Sequence, residues 1–113
     1  MIYIFSAFYA EAKNIIDHYG LKKEKSPETV RFDVFANDSI RLVITGVGEI
    51  NAAAAVSNIG GAYGISPDDE ILNVGCGAGF SSDICLGSIF LGNKLTEQMT
   101  GRTFYPDMLM KAN

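Results

Sequence analysis

Apolar and polar positions divide the first ninety residues into short, readable blocks. Residues 2–6, Ile-Tyr-Ile-Phe-Ser, are an apolar run that predicts a strand starting at once. Phe8, Ala12, Ile15, Ile16 and Tyr19 recur at helical spacing and predict a helix over 8–19, which Gly20 can end. Residues 22–28 are charged, contain Pro27 and read as a loop. Residues 30–35 alternate with period two, as a half-buried strand does. Asn37-Asp38-Ser39 is a turn into a second strand over 40–45, which together make a hairpin. Gly46-Val47-Gly48 then precedes a predicted helix over 49–63. Ala52 to Ala55 give it a slim face for close packing on a sheet, and Glu49 in its first turn suits the helix dipole. Gly64 and Pro67 end that helix.

From Ile71 the chain reads as a buried strand that runs into a glycine-rich turn, Val74-Gly75-Cys76-Gly77-Ala78-Gly79. Glycines there remove Cβ atoms and let backbone amides approach a bound molecule. Residues 83–87 are too short for a crossover helix. Residues 88–92 read as another strand, and 96–113 have no clear period. The order strand, helix, hairpin, helix, strand, strand predicts an α/β fold with a mixed central sheet and flanking helices. The sheet looks incomplete, because its last strand lacks a covering helix. No repeat, low-complexity segment or linker divides the 113 residues, so one domain is expected.

Bulk properties narrow the function. Hydrophobic residues make up 48% and charged residues 19%, which fits a folded chain. The net charge is −4 and no basic run exceeds Lys22-Lys23, which argues against nucleic acid as a partner. Apolar stretches are short and interrupted, so no membrane span is expected, and the first residues lack the basic region of a signal peptide. Cys76 and Cys85 form no CxxC pair and have no histidine near them in sequence. A metal site is not expected, and a cytoplasmic chain with free thiols is the simplest reading.

The glycine turn supports two resemblances. Residues 74–79 resemble the cofactor loop of S-adenosylmethionine-dependent methyltransferases, but Asn73 stands where that family has an acidic residue and no helix-length segment follows. The second resemblance uses nearly the whole chain. Ser6-Ala7-Phe8-Tyr9-Ala10-Glu11, the Gly46-Val47-Gly48-Glu49-Ile50-Asn51-Ala52 segment, Asn73 to Gly79, and Leu86-Gly87-Ser88-Ile89 occur in the order and with the spacing of the nucleoside phosphorylase and nucleosidase superfamily. The chain most resembles the amino-terminal half of methylthioadenosine/S-adenosylhomocysteine nucleosidases, although Ser88 replaces that family's usual Asp.

This resemblance implies a phosphorylase-like fold and hydrolysis of the N-glycosidic bond of a purine nucleoside, without metal or cofactor. Glu11 matches the family's water-activating glutamate, a role that suits an oxocarbenium-like transition state. The plain alternative is a solvated residue on an amphipathic helix. Cys76, Gly77 and Ala78 match the turn beside ribose and base, with Cys76 expected as a small buried wall. Phe8, Val47 and Phe80 are candidates for the apolar lining, or for ordinary core. His18 is expected at the surface near a helix end. Related phosphorylases carry arginine at the position of Asn73 and near the first loop. This chain has no arginine before Arg31, so water is favoured over phosphate as nucleophile.

Members of the family continue well beyond this length, and their second half supplies ribose-binding residues and the acid that protonates the base. No such segment precedes Asn113, so the chain as given is expected to lack the leaving-group acid. The alternatives are a nucleoside phosphorylase and a non-catalytic nucleoside-binding or assembly module. Residues 100–107 match a dimer-side wall of the pocket, and the exposed sheet edges imply a homo-oligomer, dimer or higher.

Overall fold

The computed structural model describes residues 1–106. They fall in two compact units, one spanning Met1–Gly77 and the other beginning at Ala78.

The first unit is an α/β layer built on a mixed five-stranded sheet with two helices. Its strands are β1 (Ile2–Ser6), β2 (Lys22–Lys23), β3 (Asp33–Ala36), β4 (Ile40–Ile44) and β5 (Glu70–Asn73). Its helices are α1 (Tyr9–Tyr19) and α2 (Glu49–Tyr63). The strand order is β2-β3-β4-β1-β5. β1 runs parallel to both β4 and β5, while β2, β3 and β4 form an antiparallel meander.

Alternation along the strands sorts the core into two layers. Tyr3, Phe5, Val34 and Val43 face α2 and pack with Ala55 and Ile59. Ile4, Ile40 and Leu42 face the other way and pack with Ala12 and Ile16 of α1 and with Leu21. Each large aliphatic side chain buried here contributes about 1.5–3 kcal/mol through removal from water. Of the alanines at 52–55, expected to form a slim packing face, only Ala55 is buried against the sheet; Ala52, Ala53 and Ala54 are exposed, and the buried residues of α2 are Ala55 and Ile59, one turn apart. Gly20 and Gly64 close the two helices in left-handed conformations.

At the amino end of β4, Arg41 joins sheet, meander and α2. Its Nη1 donates to Tyr3 Oη at 3.1 Å, and its guanidinium lies 4.1 Å from the Tyr63 ring centroid. The Tyr63 hydroxyl donates to Glu24 Oε2 at 2.6 Å and lies 3.0 Å from Ser26 Oγ. Burial, reinforced by the bond to Glu24, raises the Tyr63 phenol above its ordinary 10.0. The amino terminus pairs with Asp69 at 3.2 Å. A hydrogen bond from the Ser66 backbone N–H, followed by the terminal amine, lowers the Asp69 carboxyl below its usual value.

Four expectations need correction. The strand from Ile71, expected to be buried, is edge strand β5, in which Glu70, Ile71 and Asn73 are exposed and Leu72 is half-buried. Lys22–Lys23, expected in a loop, form edge strand β2, because pairing with Ala36 and Phe35 uses only their backbones. The expected strand over 30–35 begins later, at Asp33; Arg31 N–H donates instead to Asn58 Oδ1 at 2.9 Å, tying this approach to α2. The expected strand over 88–92 is irregular, since its residues join no ladder among the described residues.

The second unit contains a minimal hairpin, β6 (Leu95–Thr96) with β7 (Thr103–Phe104). Glu97 and Arg102 close it, with Glu97 N–H donating to Arg102 O at 2.8 Å. The Arg102 guanidinium covers the Phe104 ring at 5.2 Å. Residues 100–106 of the expected dimer-side wall lie in this hairpin region, and Asp107 lies outside the described residues. Among the described residues no helix is long and apolar enough to cross a membrane.

Candidate active site at the carboxyl ends of the sheet

β4, β1 and β5 are parallel neighbours, so their carboxyl ends lie side by side. The chain leaves β1 into α1 on one face of the sheet and leaves β4 into α2 on the other. Adjacent strands that send the chain to opposite faces open a crevice at their carboxyl ends, where α/β sheets bind ligands. Backbone bonds hold the rim beyond the strands. Thr45 N–H donates to Ser6 O at 2.9 Å, Gly46 N–H to Ala7 O at 3.1 Å, and Val74 N–H to Phe5 O at 3.0 Å.

Glu11 enters this rim from the first turn of α1. Phe8 is the N-cap and gives no side-chain cap, while Glu11 N–H donates to Phe8 O at 3.2 Å. A carboxylate in a first turn is favoured by the helix dipole. Glu11 is half-buried and reaches the glycine turn: a Cβ placed on Gly75 would stand 3.2 Å from Glu11 Oε2. Any larger residue at 75 would therefore crowd the carboxylate. The missing side chain is what allows the acid to lie against the main chain after β5.

The β4–α2 turn forms the other lip. Gly46 has φ +82 and Gly48 φ +94. Asn51 Nδ2 donates to Val47 O at 2.7 Å and braces the turn from the helix. A Cβ on Gly46 would lie 3.2 Å from that same nitrogen, so position 46 is confined by conformation and by contact. A depression over this turn is lined by residues 47–51. A second depression, on the α2 side of the sheet, is lined by Phe5, Thr45, Ala52, Val56, Ile71 and Asn73, among others. Neither includes Glu11, which lies in the first turn of α1.

The structure thus brings Glu11 together with the glycine turn at Gly75. Phe8 stands half-exposed at the start of α1 and Val47 is exposed in the turn after β4, so both belong to the rim and neither to the core. Cys76 is exposed, which corrects its expected burial: β5 is an edge strand, and the chain leaves the sheet immediately after it. Gly77 ends the first unit. Ala78 and Phe80 belong to the second unit, and the Phe80 ring is fully exposed there. His18 is exposed near the carboxyl end of α1, edge-on to Tyr19 at 4.7 Å. Among the described residues no three His, Cys, Asp or Glu side chains cluster as metal ligands would.

Ser6, the last residue of β1, opens the first-strand motif but has no role assigned by it. It is completely buried, and its Oγ has no hydrogen-bond partner among the described residues. The available signal was a polar residue at the third inward position of the series Ile2, Ile4, Ser6. A carboxylate beside exposed backbone at a glycine turn offers polar partners to a ligand, while the apolar depression lies on the α2 side of the sheet and does not include Glu11. Comparison with known proteins found no matching family model, no matching curated protein and no matching solved structure.

Proposed function

We propose that residues 1–77 carry the nucleoside-binding crevice of a phosphorylase-like nucleosidase, and that Glu11 activates water for cleavage of a purine N-glycosidic bond. The observation that carries this reading is the approach of Glu11 Oε2 to Gly75 at the carboxyl ends of β1 and β5. It couples the resemblance's carboxylate to the resemblance's glycine turn. In the reaction, water oxygen forms a bond to the anomeric carbon while the carbon–nitrogen bond breaks. Glu11 accepts the water proton and the bonding pair leaves with the base. A carboxylate beside the sugar also favours the cationic character of the transition state.

Water is a better fit than phosphate as the nucleophile. Phosphate binding calls for cationic donors. Arg41 is held at the amino end of β4 by Tyr3 and Tyr63, away from the crevice, and Asn73 stands at the end of β5.

The test is release of adenine from methylthioadenosine by the protein that carries these residues, with Glu11→Gln as the variant. Release is expected to fall by about 10²- to 10⁴-fold, the usual worth of a positioned general base. Nucleoside binding measured by calorimetry should persist. Near-normal release by Glu11→Gln removes Glu11 from the mechanism, and binding without release by the unaltered protein supports a binding module instead.

A further inference from the structure

The sheet of the first unit has two edges, and they are finished differently. β2 is guarded: both of its residues are lysines, and Lys23 Nζ pairs with Asp33 Oδ1 at 3.4 Å. Short, lysine-bearing edges are a common way for a sheet to resist pairing with another chain. β5 is bare. It contains no lysine and no proline, its register against β1 is unbroken, and Ile71 is half-exposed. The two helices differ in the same sense. α1 shows Lys13 and Asp17 to solvent, whereas α2 has no charged residue after Glu49 and exposes Ile50 and Val56. An apolar depression lined by Ala52, Val56 and Ile71, among others, lies beside the β5 edge.

The main chain fixes what can pair with that edge. Glu70 N–H donates to Met1 O at 3.1 Å, and Val74 N–H donates to Phe5 O at 3.0 Å. In a parallel ladder, alternate residues send both N–H and C=O to the same neighbour, so residues 70, 72 and 74 are engaged with β1. Ile71 and Asn73 turn their main-chain groups outward, where the described residues supply no strand. This pattern is self-complementary. In an antiparallel pair with a second copy, Ile71 stands opposite Asn73 of the partner subunit, and Asn73 stands opposite the partner's Ile71. Each of these pairs exchanges both of its hydrogen bonds. Leu72 falls on the two-fold axis against Leu72 of the partner subunit, on the α1 side of the sheet. Glu70 falls opposite Val74 of the partner subunit, which keeps the carboxylates apart. Sliding the register by two residues leaves a single hydrogen-bonded pair, so the centred register is favoured.

We infer that this chain forms a two-fold dimer by antiparallel pairing of β5 with β5 of a second copy, which joins the two sheets into one. The interface is isologous, as in most dimers, and it leaves the guarded β2 strands at the two ends. It holds whether or not the crevice binds a nucleoside.

The test is sedimentation of the 113-residue chain over rising concentration, with a covalent reporter on the axis. Leu72→Cys is made together with Cys76→Ser and Cys85→Ser, so that only position 72 can form a bridge. Opposed residues of a non-hydrogen-bonded antiparallel pair have Cα atoms about 4.5 Å apart, within reach of a disulfide. The unaltered chain is expected to pass from the mass of one chain to the mass of two, and Leu72→Cys to become a covalent dimer on oxidation. Ile71→Lys, which copies the guard of β2, should abolish association, while Lys23→Ser at the other edge should leave it unchanged. If circular dichroism shows Ile71→Lys unfolded, Asn73→Pro takes its place, because proline is tolerated on an edge strand and removes one outward donor. If neither variant folds, the bridge at position 72 decides. The mass of one chain at every concentration, a dimer that survives in a folded Ile71→Lys or Asn73→Pro, or a dimer that Leu72→Cys does not bridge overturns the inference.

Discussion

Residues 1–77 and residues 78–106 are both rich in apolar side chains, yet only the first set has buried ones. β4, Ile-Arg-Leu-Val-Ile, has a strand on each side and a helix on each face, and Leu42 and Val43 are completely buried. The later run Leu86-Gly87-Ser88-Ile89-Phe90-Leu91 is comparably apolar, but Leu86 and Ile89 are almost fully exposed. Hydrophobicity gives a segment a reason to be buried. Burial itself needs a period matched to a layer and a partner on each face. In the first unit the period-two strands and the two helices supply both. In the second, ladder pairing is limited to two residues on each strand.

The sharpest way to break this comparison is to truncate one residue in each region. Leu42→Ala should cost about 2–5 kcal/mol, because it opens a cavity between sheet and α1. Ile89→Ala should change stability by no more than about 0.5 kcal/mol. Urea unfolding of the two variants tests the pair, and equal losses would show that residues 84–91 belong to a core after all.

A smaller contrast lies in the turns. Gly46 and Gly101 both have positive φ, at +82 and +72, but only Gly46 has a neighbour that a Cβ would crowd. Gly101→Ala should cost about 1–2 kcal/mol for the left-handed conformation alone. Gly46→Ala should cost more, since Asn51 must also give way and loosen its bond to Val47. Thermal unfolding compares the two directly.

The smallest effect expected is a pH dependence confined to the first unit. Tyr63 holds its phenolic proton more tightly folded than unfolded. Its contribution is fully present below the ordinary pKa of 10.0 and is lost as pH rises through the raised value, because the unfolded phenol ionises first. Stability should therefore decline in that alkaline window, and Tyr63→Phe should flatten the decline. An unchanged slope in the variant would place the alkaline sensitivity elsewhere.

How much of this was legible in the sequence follows from the same contrast. α2 is found at 49–63 as expected, because glycines bound it at both ends; its packing face is Ala55 with Ile59, while Ala52 to Ala54 of the alanine run are exposed. β2 was not legible, since Lys22 and Lys23 look like solvent-exposed loop and pair only through backbone groups. The strand expected over 88–92 was read from a short apolar run, which does not reveal whether a partner strand is present. At the site, the sequence placed Glu11 and the glycine turn after separate strands. That those strands are neighbours, and that Gly75 makes room for the carboxylate, are facts of tertiary pairing. The exposure of Cys76 and the burial of Ser6 likewise depend on which strand is at the edge and which is at the centre.

The most direct test of the crevice is a nitrogen-15 amide spectrum of the 113-residue chain titrated with methylthioadenosine. Shifts concentrated at Ala7, Glu11, Gly46 to Gly48 and Gly75 are predicted, with the Arg41–Tyr63 end of the sheet unmoved. No shifts at saturating nucleoside, or shifts gathered around Glu24, Arg41 and Tyr63, would contradict a nucleoside site at the carboxyl ends of β4, β1 and β5.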